Sequence, residues 1–133
     1  MRKIYTYKDG NKYPVEEFLR GIDEKLRKKL EIQLVYICDE RNPFTEPYVK
    51  HFSIAKYRQM YEVRVKAAET MLRIIFYEKD GNIILLHAFR KRDRKDTEKA
   101  LVNAFRILDR IIDENGSIPS EYIKLIDHAA LIK

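Results

Sequence analysis

Three closely spaced segments in the middle of the chain constrain its fold most: residues 58–66, 70–78 and 83–90. The first, RQMYEVRVK, alternates. Tyr61, Val63 and Val65 fall on one face, and Met60, Glu62 and Arg64 fall on the other, as in a strand half-buried on each side. The second, TMLRIIFYE, is more apolar throughout. The third, IILLHAFR, is the most hydrophobic and suits the centre of a sheet covered on both faces. Asp80 and Gly81 between the last two form a tight-turn signal. Strands joined this closely make an antiparallel meander.

The flanking segments supply helices. Of the 133 residues, 45% are hydrophobic, enough for one compact domain with one core. Residues 3–7, KIYTY, are rich in β-formers and read as a short first strand, followed by a turn at Asp9, Gly10 and Asn11. Pro14 opens a helix that reaches Leu19 and stops near Gly21. Asp23 caps a second helix, whose apolar stripe is Leu26, Leu30, Leu34 and Ile37, and Asn42 and Pro43 end it. Residues 44–56 read as an ordered loop. A further helix is expected from about Thr97 to Asp113, capped by Asp96 or Thr97, with Leu101, Ala104, Phe105, Leu108, Ile111 and Ile112 inward. After Asn115 and Gly116, Pro119 is expected to start a last helical segment carrying Tyr122, Ile123 and Ile126. The order is β-α-α-β-β-β-α plus a C-terminal helical tail. The class is α+β, with a domain over residues 1–114 and an extension over 115–133.

Several kinds of chemistry drop out at this level. The N-terminus, MRKIYTYKDG, has no apolar run of a signal peptide, and no apolar segment approaches ~18 residues. The expectation is a cytoplasmic protein with no membrane contact. The single cysteine, Cys38, lies in an apolar helical stretch and reads as core. There is no glycine-rich phosphate loop. His51, His87 and His128 are too scattered for a metal signature, and Ser53, Ser117 and Ser120 lie in no nucleophile elbow. No cofactor and no metal are expected.

What remains is positive charge. The net charge is +6, which favours a polyanionic partner. Arg64 and Arg73 sit inside apolar strands, where a guanidinium needs a partner. Glu62, Glu69 and Glu78 offer a salt bridge across the sheet. Alternatively, both arginines line a groove and meet phosphate, for which a planar bidentate fork is well suited. Arg90, Lys91, Arg92, Arg94 and Lys95 place five positive charges in six positions between the last strand and a helix. They read either as a solvated loop or as a continuation of the arginine surface. His87 reads as a hydrogen-bonded core residue. Tyr61 and Tyr77 read as packing residues first and RNA-stacking candidates second.

Together these segments resemble the phage-related, HigB-like branch of the RelE/HigB toxin superfamily. The carriers are Tyr61-Glu62-Val63-Arg64, then Leu72-Arg73-Ile74-Ile75-Phe76, then Leu85-Leu86-His87-Ala88-Phe89-Arg90-Lys91. The start, Ile4 to Asp9 with Pro14-Val15, and the loop Glu46-Pro47-Tyr48-Val49-Lys50-His51 match as well. The resemblance covers roughly residues 3–112. It implies a RelE-like fold, with helices packed against a small antiparallel sheet. It also implies the toxin of a type II toxin–antitoxin pair, a metal-independent endoribonuclease that cuts mRNA on the ribosome and pairs with a helix-turn-helix, HigA-like antitoxin. Carried over by position, Arg73 would hold the scissile phosphate and Arg64 would assist from the preceding strand. Lys91 or Arg92 would serve the leaving group or transition state, while Arg90, Arg94, Lys95 and Tyr61 would bind RNA. This chain departs from the family where Arg90, Lys91, Arg92 and Asp93 replace the usual Lys-Lys-Thr, and where Asp96-Thr97 replaces Thr-Pro. The tyrosine that some relatives carry just after this cluster is absent, so the resemblance names no general base. Two other readings stay open: a ParE-like gyrase inhibitor, and a non-catalytic RNA- or ribosome-binding protein.

Overall fold

The computed structural model describes residues 2–7, 9–67, 69–113 and 123–126. The elements in chain order are β1 (Ile4–Tyr7), α1 (Pro14–Arg20), α2 (Glu24–Cys38), β2 (Val49–His51), β3 (Met60–Ala67), β4 (Thr70–Lys79), β5 (Asn82–Lys91), α3 (Arg94–Asp113) and β6 (Ile123–Ile126). The expected meander is present as β3, β4 and β5, paired antiparallel. Asp80 and Gly81 both have positive φ, 52° and 79°, which matches the twist of a two-residue hairpin turn. The class is α+β, consistent with a RelE-like fold.

The sheet differs from the expected one in three ways. It is mixed, because β1 runs parallel to β5. Lys3 ties the two strands at their start: its N–H donates to Asn82 Oδ1 at 3.0 Å, and its carbonyl accepts from Ile83 N at 2.8 Å. The segment read as a loop contains β2, a three-residue edge strand on β3. Residues 123–126, expected to be helical, form β6 antiparallel to β1. Four apolar-rich residues carry no usable period, and the open edge of β1 is a template for strand pairing. Pro119 and Tyr122 of the expected tail helix lie outside the described residues. The strand order is β2-β3-β4-β5-β1-β6.

Helices cover both faces. Asp23 Oδ1 accepts from Leu26 N at 2.9 Å and starts α2, whose Leu26, Leu30, Leu34 and Ile37 are buried as expected. With Val15 of α1 they pack on Val63, Leu72, Ile74, Phe76 and Leu85. Cys38 is buried in the same layer, and burial pushes its thiol up to about 11, so it is inert core. On the opposite face, Ala100, Leu101, Ala104, Leu108 and Ile111 of α3 pack on Met60, Ile75, Tyr77, Ile84 and Leu86. Ile112, expected inward, is 41% exposed, and Phe105 is only half-buried.

α3 starts at Arg94, three residues before the expected Thr97. Asp93 Oδ1 accepts from Lys95 N at 2.8 Å and Asp96 N at 3.3 Å. Asp96 Oδ2 accepts in return from Arg92 N at 2.7 Å and Asp93 N at 3.2 Å. In this reciprocal cap Asp93 satisfies two first-turn amides of the helix, and Asp96 holds the two amides that lead into it. Those backbone hydrogen bonds, from Arg92 first, hold the Asp96 carboxyl below its usual range.

Candidate nucleic-acid interface on the sheet

Strand register determines which charged side chains meet. In β3, Glu62, Arg64 and Lys66 alternate with the buried Val63 and Val65, so they lie on the α3 face with Met60. Arg64 lies directly opposite Arg73 of β4, and Glu62 lies opposite Ile75. β5 is the less obvious member. Ile84 pairs with Tyr77 and Leu85 with Phe76, but Ile75 pairs with His87, leaving Leu86 extra. That β-bulge shifts the alternation by one. Beyond it, His87, Phe89 and Lys91 share the face of Ile75, Arg73 and Met71. An unbroken period of two from Ile83 would have put them on the other side.

The result is three cross-strand rows: Glu62–Ile75–His87, Arg64–Arg73–Phe89, and Lys66–Met71–Lys91. They occupy the ends of β3 and β5 and the start of β4, next to the first turn of α3. Four potential phosphate or proton partners therefore share one surface: Arg64, Arg73, His87 and Lys91. Lys66, exposed on the third row, is a fifth candidate that the sequence reading passed over, although its spacing from Glu62 and Arg64 carried the signal.

At the centre is a buried acid. Glu62 is 1% exposed. Its Oε1 lies 3.3 Å from Arg64 Nε and 3.6 Å from Arg73 Nε. Arg64 also reaches the exposed Glu46, at 3.5 Å. Of the acids available by sequence, Glu62 is the one that pairs with these arginines, while Glu78 bonds Arg2 at 3.4 Å. Arg73 is the more enclosed of the two, with 11% of its side chain exposed against 26% for Arg64. Burial pulls the Arg73 guanidinium below its ordinary value, Glu62 opposes that shift, and Arg64 adds to it. An arginine remains cationic under such a shift. The remaining nitrogens of Arg73 are weakly held: Nη1 is 3.5 Å from the Leu72 carbonyl and Nη2 is 3.8 Å from Met71 Sδ.

His87 is half-buried and stacks on Phe89, with ring centroids 5.9 Å apart. It is not the hydrogen-bonded core residue expected, because no described residue hydrogen-bonds its ring nitrogens. Burial lowers its pKa, so the imidazole is neutral near pH 7 and able to accept a proton.

The remaining basic residues separate. Arg90 lies opposite Leu72 on the α2 face, away from Arg73. Arg92, Arg94 and Lys95 are exposed around the α3 cap, where Asp93 occupies first-turn amides and Asp96 those of Arg92 and Asp93. Tyr61 is also on the α2 face, stacked against His51 at 4.8 Å and Phe76 at 5.4 Å. It packs there, on the far side of the sheet from the arginines. Among the described residues no group of three or more His, Cys, Asp or Glu could hold a metal ion, and no helix is long and apolar enough to cross a membrane.

The model of one protein family, described as phage-derived protein Gp49-like (DUF891), matches residues 17–109. No curated protein and no solved structure matches the chain. The matched span runs from α1 into α3 and includes every residue of the three rows. The chain belongs to the Gp49-like family of phage-derived proteins.

Proposed function

We propose that this protein is the toxin of a type II toxin–antitoxin pair and that it cuts mRNA on the ribosome. The observation that supports this most is the meeting of Arg64, Arg73, His87 and Lys91 on one open end of the sheet. Cleaving RNA through its own 2′-hydroxyl requires three things: a proton acceptor for that hydroxyl, positive charge on the phosphorane, and a proton for the departing 5′-oxygen. Neutral His87 takes the 2′-hydroxyl proton. Arg73 and Arg64 hold the non-bridging oxygens. Lys91 gives a proton to the 5′-oxygen, and the products are a 2′,3′-cyclic phosphate and a free 5′-hydroxyl. Arg92 lies one residue beyond the strand and contacts the flanking backbone, with Arg94 and Lys95 beside it. The partner proposed is a helix-turn-helix, HigA-like antitoxin that covers this face.

The test is to map mRNA 5′ ends after a brief pulse of expression. New ends within coding sequences are expected, together with growth arrest. Arg73→Ala should reduce both by roughly 10²-fold or more, the usual scale for losing a main transition-state donor. Intact mRNA with loss of DNA supercoiling would replace this reading with gyrase inhibition. Ribosome binding without new ends would leave a non-catalytic binder.

A further inference from the structure

A phosphate-binding surface has no evident use for a carboxylate, yet Glu62 is buried at its centre with one oxygen between two guanidiniums. Arg64 and Arg73 are directly opposed on neighbouring antiparallel strands. Like charges in such a pair repel and splay their side chains. Glu62 Oε1 faces the Nε edge of both, at 3.3 Å and 3.6 Å, and Glu62 is 1% exposed, so substrate does not reach it. The 3.3 Å contact is a hydrogen bond from Arg64, whereas the 3.6 Å contact to Arg73 is an ion pair without one. Among the described residues, Arg73 Nε and the other oxygen, Glu62 Oε2, are buried without a hydrogen-bond partner. A partnerless buried oxygen is a cost to folding, one that a cross-sheet ion pair built for stability alone would be expected to avoid.

We propose that Glu62 is a positioning residue: it gathers the Nε edges of Arg64 and Arg73 so that their terminal nitrogens form one preset fork for a phosphodiester. This rests on reading the face as a phosphate site. An arginine offers two hydrogen-bonding edges, and an acid on the Nε edge leaves the two Nη atoms for a second anion. Among the described residues, the terminal nitrogens of Arg73 have only a carbonyl at 3.5 Å and a thioether at 3.8 Å, and those of Arg64 have only the exposed Glu46 at 3.5 Å. A fork set before binding spares the ligand the cost of ordering two long side chains.

The sign of the Glu62→Gln effect separates positioning from simple charge. Removing a carboxylate beside two arginines makes the site more positive, so charge alone would tighten binding to phosphate. Positioning gives the opposite. The probe is a short single-stranded RNA oligonucleotide, with inorganic phosphate in a parallel titration; neither requires ribosomes or cleavage. Glu62→Gln should weaken RNA binding about tenfold, the loss of roughly one charge-assisted hydrogen bond. Glu62→Asp keeps the charge but shortens the reach, and it should weaken binding too. In an Arg73→Ala background, Glu62→Gln should add little further loss. Equal or tighter binding by Glu62→Gln, full additivity with Arg73→Ala, or no RNA binding by the wild-type chain would each overturn the proposal. If the variants fail to fold, nitrogen NMR of the wild-type arginines decides. The Nε–H signals of Arg64 and Arg73 should be protected from solvent, and RNA should shift the Nη signals much more than these. Freely exchanging Nε–H groups would sink it. Oligonucleotide binding that depends on Glu62, without cleavage of ribosome-bound mRNA, would uphold this inference and end the nuclease reading.

Discussion

His87 is the residue whose role changed most between sequence and structure. Its neighbours Leu86 and Ala88 suggested a core position. The facing that matters depends on one extra residue in β5, and no local pattern announces it. Arg64 and Arg73 were legible because a charge inside an apolar strand is unusual whatever the register, and Glu62 was legible as a partner by proximity. Lowered by burial, His87 makes two pH-dependent expectations. The unfolded imidazole titrates near 6.5, and the folded one titrates lower. Between those values the unfolded state binds more protons, so stability rises with pH and is lost as pH falls from about 6.5 through the folded value. Urea midpoints of wild type and His87→Gln, measured from pH 5 to 8, should diverge in slope below 6.5, with the variant flatter. The cleavage rate should fall on the same acid side as His87 protonates. His87→Gln should lose about 10²- to 10⁴-fold in rate and lose that acid limb. An unchanged acid limb would remove His87 from the chemistry.

At the level of elements, the long periodic segments were readable, as were β1 and α1 from their β-formers and Pro14, while the short strands β2 and β6 were not. α2 was placed by its cap and four buried leucine and isoleucine positions, and the β3–β5 meander by alternation and the Asp80-Gly81 turn. β2 and β6, three and four residues long, exist because a neighbouring edge accepts them, which is tertiary information. The start of α3 was missed because the basic run was placed between strand and helix and the cap was assigned to Asp96 or Thr97, not to Asp93. Asp93 is the cap, and it is what turns β5 into α3 beside Lys91. Asp93→Ala should therefore cost about 1 kcal/mol. For a chain of this size, the thermal midpoint should drop by a few degrees, roughly 3–6 °C. Hydrogen exchange should quicken at the amides of Lys95 and Asp96, which the carboxylate now holds. Unchanged exchange at those amides would show that the Asp93 carboxylate does not cap the helix.

Across the whole molecule, the sheet sorts the basic charge into two populations that composition cannot distinguish. The net charge of +6 attracts a polyanion from any direction. Only residues on the α3 face of the strand ends can share one phosphate chain, because the sheet and α2 lie between that face and Arg90. Adjacent in sequence, Arg90 and Lys91 fall on opposite sides, facing the Leu72 and Met71 sides of β4 respectively. Salt dependence reads this directly. Each phosphate contact to single-stranded RNA contributes about 0.7 to the slope of log affinity against log salt concentration. Lys91→Ala should reduce that slope by about 0.7, as should Arg73→Ala, whereas Arg90→Ala should leave it nearly unchanged while removing the same formal charge. The two lysine and arginine variants have equal net charge, so a difference between them cannot come from the overall field. Equal reductions from Lys91→Ala and Arg90→Ala would mean that the RNA follows the basic loop around the edge of the sheet. The face defined by Arg64, Arg73 and His87 would then not be the track that the chain of phosphates takes.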